Sequence, residues 1–137
     1  MARKGRRVRG ATLKSNATSA WEVKWHPDAK AEKDAIDDSS ERVAIQHVIE
    51  KLEVDGIALR KEHQRAVMQS EGEGLRELRP RAGRSRWRPL YRQVGERLFA
   101  ILAVAPESEI DEQGYDRAVK VAQERRKAVE NALRKKK

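Results

Sequence analysis

The first periodic stretch of the chain is Trp21-Glu22-Val23-Lys24-Trp25, in which apolar and charged residues alternate. A period of two puts Trp21, Val23 and Trp25 on one face of a short strand and Glu22 and Lys24 on the other. His26-Pro27-Asp28 breaks the alternation, and proline followed by aspartate suits the opening of a helix, so a first helical piece is predicted from Asp28 to about Asp37. Asp38 with Glu41 three positions on has the pattern of a capping box for a second piece. There Ile45, Val48, Ile49 and Leu52 fall at i, i+3, i+4 and i+7, one apolar stripe that Gly56 terminates. The two pieces read as a helical hairpin or as one bent helix.

Ile57 to Ser70 carries too little periodicity to assign. Glu71-Gly72-Glu73-Gly74 reads as a turn, Leu75–Arg79 as a strand, Pro80–Gly83 as a loop and Ser85–Val94 as a second strand. Gly95-Glu96 makes a tight hairpin into residues 97–105, the most apolar run of the chain and the expected central strand, which Pro106 ends. From about Glu112 a last helix carries Tyr115, Ala118, Val119, Ala122 and Val129 on one face and runs into Arg134-Lys135-Lys136-Lys137. The order β, α, α, β, β, β, α predicts an α+β domain, with an antiparallel sheet, helices on one face and the other face free.

Composition narrows this further. At 137 residues the chain is one domain by length. Residues 1–20 are small and basic without apolar periodicity, so they are expected to be a flexible arm, and 21–137 a domain with a basic tail. The chain has no cysteine, which excludes disulfides and thiolate metal sites and fits a cytoplasmic setting. No apolar run approaches the roughly 20 residues of a membrane span, so no membrane partner is expected. The formal charge of +9 is unevenly spread. Basic residues concentrate in 1–20, 76–97 and 125–137, while 21–75 and 98–124 are net acidic, a distribution suited to binding a polyanion.

The histidines at 26, 47 and 63 have no ligand spacing, and there is no phosphate-binding glycine loop, no GxSxG elbow and no cysteine nucleophile. Neither a metal nor a cofactor is expected. What stands out is Gly74–Val94, with seven arginines and no lysine. On a regular strand Arg84, Arg86 and Arg88 would project from one face, with Trp87 and Tyr91 on the other, while Pro89 signals an edge or a bulge. A row of guanidinium forks suits phosphate oxygens and stacked bases, hence a single-stranded nucleic acid. It equally fits a solvated face paired with acids from the helices.

Taken together, WEVKWHPDA, GLRELRP, RWRPLYR, ERLFAILAVA and AVKVAQERRKAVE resemble the RelE/HigB superfamily of type II toxins, particularly its phage-derived branch, over roughly residues 21–130. The resemblance implies a RelE-like fold and a toxin that cuts messenger RNA without a metal, usually on the ribosome, held in check by a cognate antitoxin. In such cleavage the ribose 2′-OH attacks the adjacent phosphate, and the enzyme takes a proton, neutralises the phosphorane and protonates the leaving 5′-oxygen. By resemblance Arg79 and Arg88 would hold that phosphate and Tyr91 would stack on a base or transfer a proton. Arg81, Arg84, Arg86 and Arg92 would be the accompanying RNA contacts. Where many relatives carry a lysine pair after the apolar strand, this chain has Val104-Ala105-Pro106-Glu107, which leaves Tyr91, Glu107 and His63 as titratable candidates. The rival expectation is a non-catalytic relative, a gyrase inhibitor of the ParE type or a nucleic-acid-binding protein. A purely structural accessory role would leave the arginines idle.

Overall fold

Residues 20–135 are described by the computed structural model, so the basic arm, except Ala20, and the last two lysines lie outside them. The chain runs β1 (Glu22–Trp25), α1 (Pro27–Asp34), α2 (Ser39–Asp55), β2 (Gln64–Ala66), β3 (Arg76–Leu78), β4 (Trp87–Gly95), β5 (Leu98–Pro106) and α3 (Glu112–Lys135). The unassigned stretch after Gly56 thus contributes the short strand β2. The sheet has the order β1-β5-β4-β3-β2. β5 is interior, as its apolar run requires, but the middle position belongs to β4. β1 lies parallel to β5, with Val23 opposite Phe99, while the other pairs are antiparallel. The sheet is therefore mixed rather than antiparallel. Alternation specifies which face a strand buries and is silent on its direction, which here follows from the path of the intervening segments.

The helices cover both faces, not one. The α2 stripe of Ile45, Val48, Ile49 and Leu52 packs with Leu78, Tyr91, Phe99 and Ile101. On the opposite face Tyr115, Val119 and Ala122 of α3 pack with Leu90, Ala100, Leu102 and Ala105. Residues 99–105 are all buried, and their unbroken hydrophobicity is the mark of a strand covered twice.

Three local devices shape the sheet around the arginines. Gly56 closes α2 at φ 57°, and a Cβ there would stand 2.0 Å from the indole Nε1 of Trp21, whose ring stacks on Phe99 at 4.9 Å. A register shift between Leu90 and Tyr91 marks a bulge, near the Pro89 that signalled one. Beyond the end of β1 the open edge of β5 is closed by side chains: Glu32 accepts from the Val104 N–H at 3.0 Å, and Arg125 donates to the Leu102 carbonyl at 2.9 Å. Glu32 and Arg125 also pair at 2.8 Å, tying α1 to α3 across that edge.

Candidate functional site

β3 is three residues long, and its alternation sends Leu78 into the α2 core and Glu77 to the α3 face. Glu77 is 3% exposed and its carboxylate gathers partners from β2, β4, α3 and the residue that follows β3. One oxygen, Oε2, lies 3.1 Å from Arg65 Nε, 3.2 Å from an Arg79 guanidinium nitrogen and 3.4 Å from Arg88 Nε. The other accepts a hydrogen bond from the Tyr115 hydroxyl. The register accounts for the convergence: Arg65 of β2 is the cross-strand neighbour of Glu77, whose other neighbour is Leu90, and Arg88 precedes Leu90 by two on the same face. Three guanidiniums around one carboxylate leave an excess of positive charge, part of which Glu107 offsets at 4.0 Å from Arg88. Beside the cluster opens a cleft of about 250 Å³ lined by Arg65, Met68, Gln69, Glu77, Ser108 and Tyr115.

The three arginines differ in freedom. The Arg65 side chain is 54% exposed, Arg79 20% and Arg88 2%. Arg88 donates to the carbonyls of Gly83 and Trp87, each at 3.0 Å, and to that of Ser85. Burial pushes its guanidinium below the ordinary value, against the pull of Glu77 and Glu107, and it stays charged as arginine does in proteins. Arg88 is thus a fixed source of positive field, its two terminal nitrogens held by backbone carbonyls and its buried Nε facing Glu77 at 3.4 Å without a hydrogen bond.

The loop that supplies those carbonyls is strained. Arg81, Ala82 and Gly83 have φ of 56°, 55° and 92°, a run of left-handed residues of which only the last is glycine. Arg81 reaches Glu41 at 3.5 Å and the Ser40 carbonyl at 3.3 Å, and the Ser85 hydroxyl donates to Glu41 at 2.7 Å. Glu41 therefore anchors the loop instead of completing the capping box, and Asp38 alone caps α2 through Ser40 N–H at 2.9 Å. A Cβ on Gly83 would stand 2.5 Å from an Arg79 guanidinium nitrogen. Gly83→Ala is expected to lower stability by about 1–2 kcal/mol from the left-handed strain and to displace Arg79, which a denaturation midpoint and a crystal structure of the variant would check.

The expected arginine row does not form. The left-handed run ends at Gly83, Arg84 turns back into the right-handed region, Ser85 and Arg86 form a bend, and the strand begins only at Trp87, so period two never extends back to Arg84. Arg84 turns back to the Arg81 carbonyl at 3.0 Å, and Arg86 lies over the Trp87 ring at 5.9 Å. Arg92 shares the α3 face but is held by Glu130 at 3.3 Å, next to Gly74. Tyr91 lies on the face opposite Arg88, where period two puts it, and so away from the site role that the resemblance implies: it is 2% exposed and edge-on to Phe99 at 5.6 Å. It is a core residue, and the tyrosine that meets the arginines is Tyr115. Glu107 caps the N–H groups of Glu109 and Ile110, and the His63 carbonyl accepts from Arg79 N–H at 2.8 Å.

By sequence alone Tyr115 belongs to the apolar face of α3, Arg65 to a stretch without periodicity, and Glu77 to a strand in which nothing gives it a role. The one available signal was a lone carboxylate within an arginine-rich stretch. Among the described residues no group of three or more His, Asp or Glu is arranged to hold a metal ion, and no helix is long and apolar enough to cross a membrane.

Burial raises the Tyr91 phenol from 10.0 to about 12, against Arg76, and raises that of Tyr115 further, with the Glu77 carboxylate adding to the effect. A raised phenol favours the folded state fully below the unfolded value and loses that contribution as pH rises through the folded one. These are the only two tyrosines in the chain. Tyrosinate absorbance is therefore expected to stay flat through pH 10 and to rise, with loss of stability, as pH approaches about 12. Titration near pH 10 in the folded chain would contradict their burial. No protein-family model matches this sequence, and comparisons with characterised proteins and with solved structures found no match.

Proposed function

We propose that this chain is the toxin of a type II toxin–antitoxin system, an endoribonuclease of the RelE/HigB type that cuts messenger RNA on the ribosome without a metal. The observation that supports it is the gathering of Arg65, Arg79 and Arg88 at one carboxylate oxygen beside an open cleft. Arg79 and Arg65 keep donors near solvent and hold the scissile phosphate, and Arg88 adds a buried positive charge where the phosphorane gathers negative charge. Glu77 lines the cleft and accepts the 2′-OH proton. Tyr115, kept protonated by burial and by Glu77, gives a proton to the leaving 5′-oxygen. This pair replaces the family's lysines. The RelE-like expectation for the fold draws support from two N-terminal helices and a C-terminal helix around a small sheet.

The test is cleavage of a messenger on programmed ribosomes in the presence of EDTA, with Glu77→Gln and Tyr115→Phe beside the unaltered chain. EDTA-resistant cleavage that both substitutions diminish supports the assignment. A second reading, a non-catalytic relative that binds nucleic acid or gyrase, is favoured by one observation: both terminal nitrogens of Arg88 donate to backbone carbonyls, as a scaffold residue's do. Binding of RNA without cleavage under any of these conditions would select it. Rescue of growth by a co-expressed neighbouring gene would identify the antitoxin.

A further inference from the structure

On the α2 side of the loop Pro80–Gly83 lies a second hollow, of about 460 Å³, whose lining includes Ser40, Val43, His47, Lys51, His63 and Arg81. No carboxylate lines it, whereas the hollow at Arg86 sets Glu32, Asp37, Asp38 and Glu41 against one arginine. Acids stand around it: Glu41 steadies Arg81 at 3.5 Å, Glu62 lies 3.8 Å from the His63 ring, and Glu50 and Asp55 line the neighbouring hollow that shares His47 and Lys51. The apolar wall is open to solvent, with Val43 52% exposed. Two of its lining residues neighbour Arg79 of the Glu77 cluster along the backbone: the His63 carbonyl accepts from the Arg79 N–H at 2.8 Å, and Arg81 follows Arg79 by two residues.

Two cations, two flat imidazoles and an apolar wall in a cavity of this size offer a planar base something to lie against and a phosphate something to pair with. An acidic peptide would use the cations and leave the imidazoles and the valine without a purpose. We propose that this hollow is a second nucleotide subsite, which holds an unpaired nucleotide of the strand flanking the phosphate at Glu77. The inference rests on the RNA-cleavage reading above and extends it from one phosphate to a path around the end of the sheet.

The test is a titration of the full chain with a short single-stranded oligoribonucleotide bearing 2′-O-methyl groups, which lack the attacking hydroxyl. It is followed on the ring signals of the three histidines. Those of His47 and His63 are expected to move, and that of His26, the N-cap of α1, to stay. In parallel, Lys51→Gln is expected to reduce the slope of log K against log salt by about 0.7, and Lys51→Gln with Arg81→Gln by about 1.4. Unmoved His47 and His63 signals at saturation, or an unchanged slope in the double variant, would overturn the proposal. So would movement caused by an acidic peptide alone, which would make the hollow a protein-docking face. Movement with the oligonucleotide in a chain that never cleaves would leave the subsite standing and remove the nuclease, whereas cleavage without movement would remove only the subsite.

Discussion

Glu77→Ala is expected to lower the unfolding free energy by about 3–5 kcal/mol, the cost of stripping one partner from a buried ion pair. Arg88 is 2% exposed, and its remaining counter-charge, Glu107, lies 4.0 Å away. The Tyr115 hydroxyl loses its acceptor in the same step, a loss of about 1–3 kcal/mol when the group stays buried. Glu77→Gln keeps an oxygen for Tyr115 and removes only the charge, so it should fall between the alanine variant and the unaltered chain. Chemical denaturation reads the effect directly, as a shifted midpoint at constant slope. An alanine variant within about 1 kcal/mol of the parent, a typical loss for any point substitution, would mean that the cluster is solvated and that Glu77 does not hold it together.

Arg79→Ala is expected to reduce cleavage by about 10²–10³, roughly 3–4 kcal/mol of transition-state stabilisation. Stability should change far less than in Glu77→Ala, because the Arg79 side chain is 20% exposed and Glu77 retains Arg65, Arg88 and Tyr115. That separation makes Arg79 the better probe. Arg88 was the more prominent residue in the sequence, yet its removal would leave Glu77 underpaired and the carbonyls of Gly83, Ser85 and Trp87 without its donors, so lost activity could be lost structure. Arg79→Lys keeps the charge and gives up the planar fork, and should recover part of the rate. Cleavage on programmed ribosomes, with the denaturation midpoint of the same protein, decides the matter. Full activity in a folded Arg79→Ala chain would remove this cluster as the catalytic site.

Periodicity made most of the fold legible. The strand at Trp21–Trp25, the α2 stripe, the hairpin at Gly95-Glu96 and α3 from Glu112 all lie where the pattern puts them, because each depends on residues within a few positions of one another. The basic patch at 76–97 was equally legible, since charge is additive along a chain. Four features were not. The direction of β1 and the cover on both faces of the sheet depend on how distant segments return. The arginine row failed because the left-handed run at Arg81–Gly83 and the bend after it reset the phase before β4 begins. The site itself joins Arg65, Glu77, Arg88 and Tyr115 through strand register and helix packing, and it leaves Tyr91, in the motif, on the far side of the sheet. Sequence by itself determined which segments become helix or strand and where the charge lies. Only the tertiary structure decided which arginines share a carboxylate and which tyrosine they meet, because each of those contacts spans pairings that no local pattern encodes.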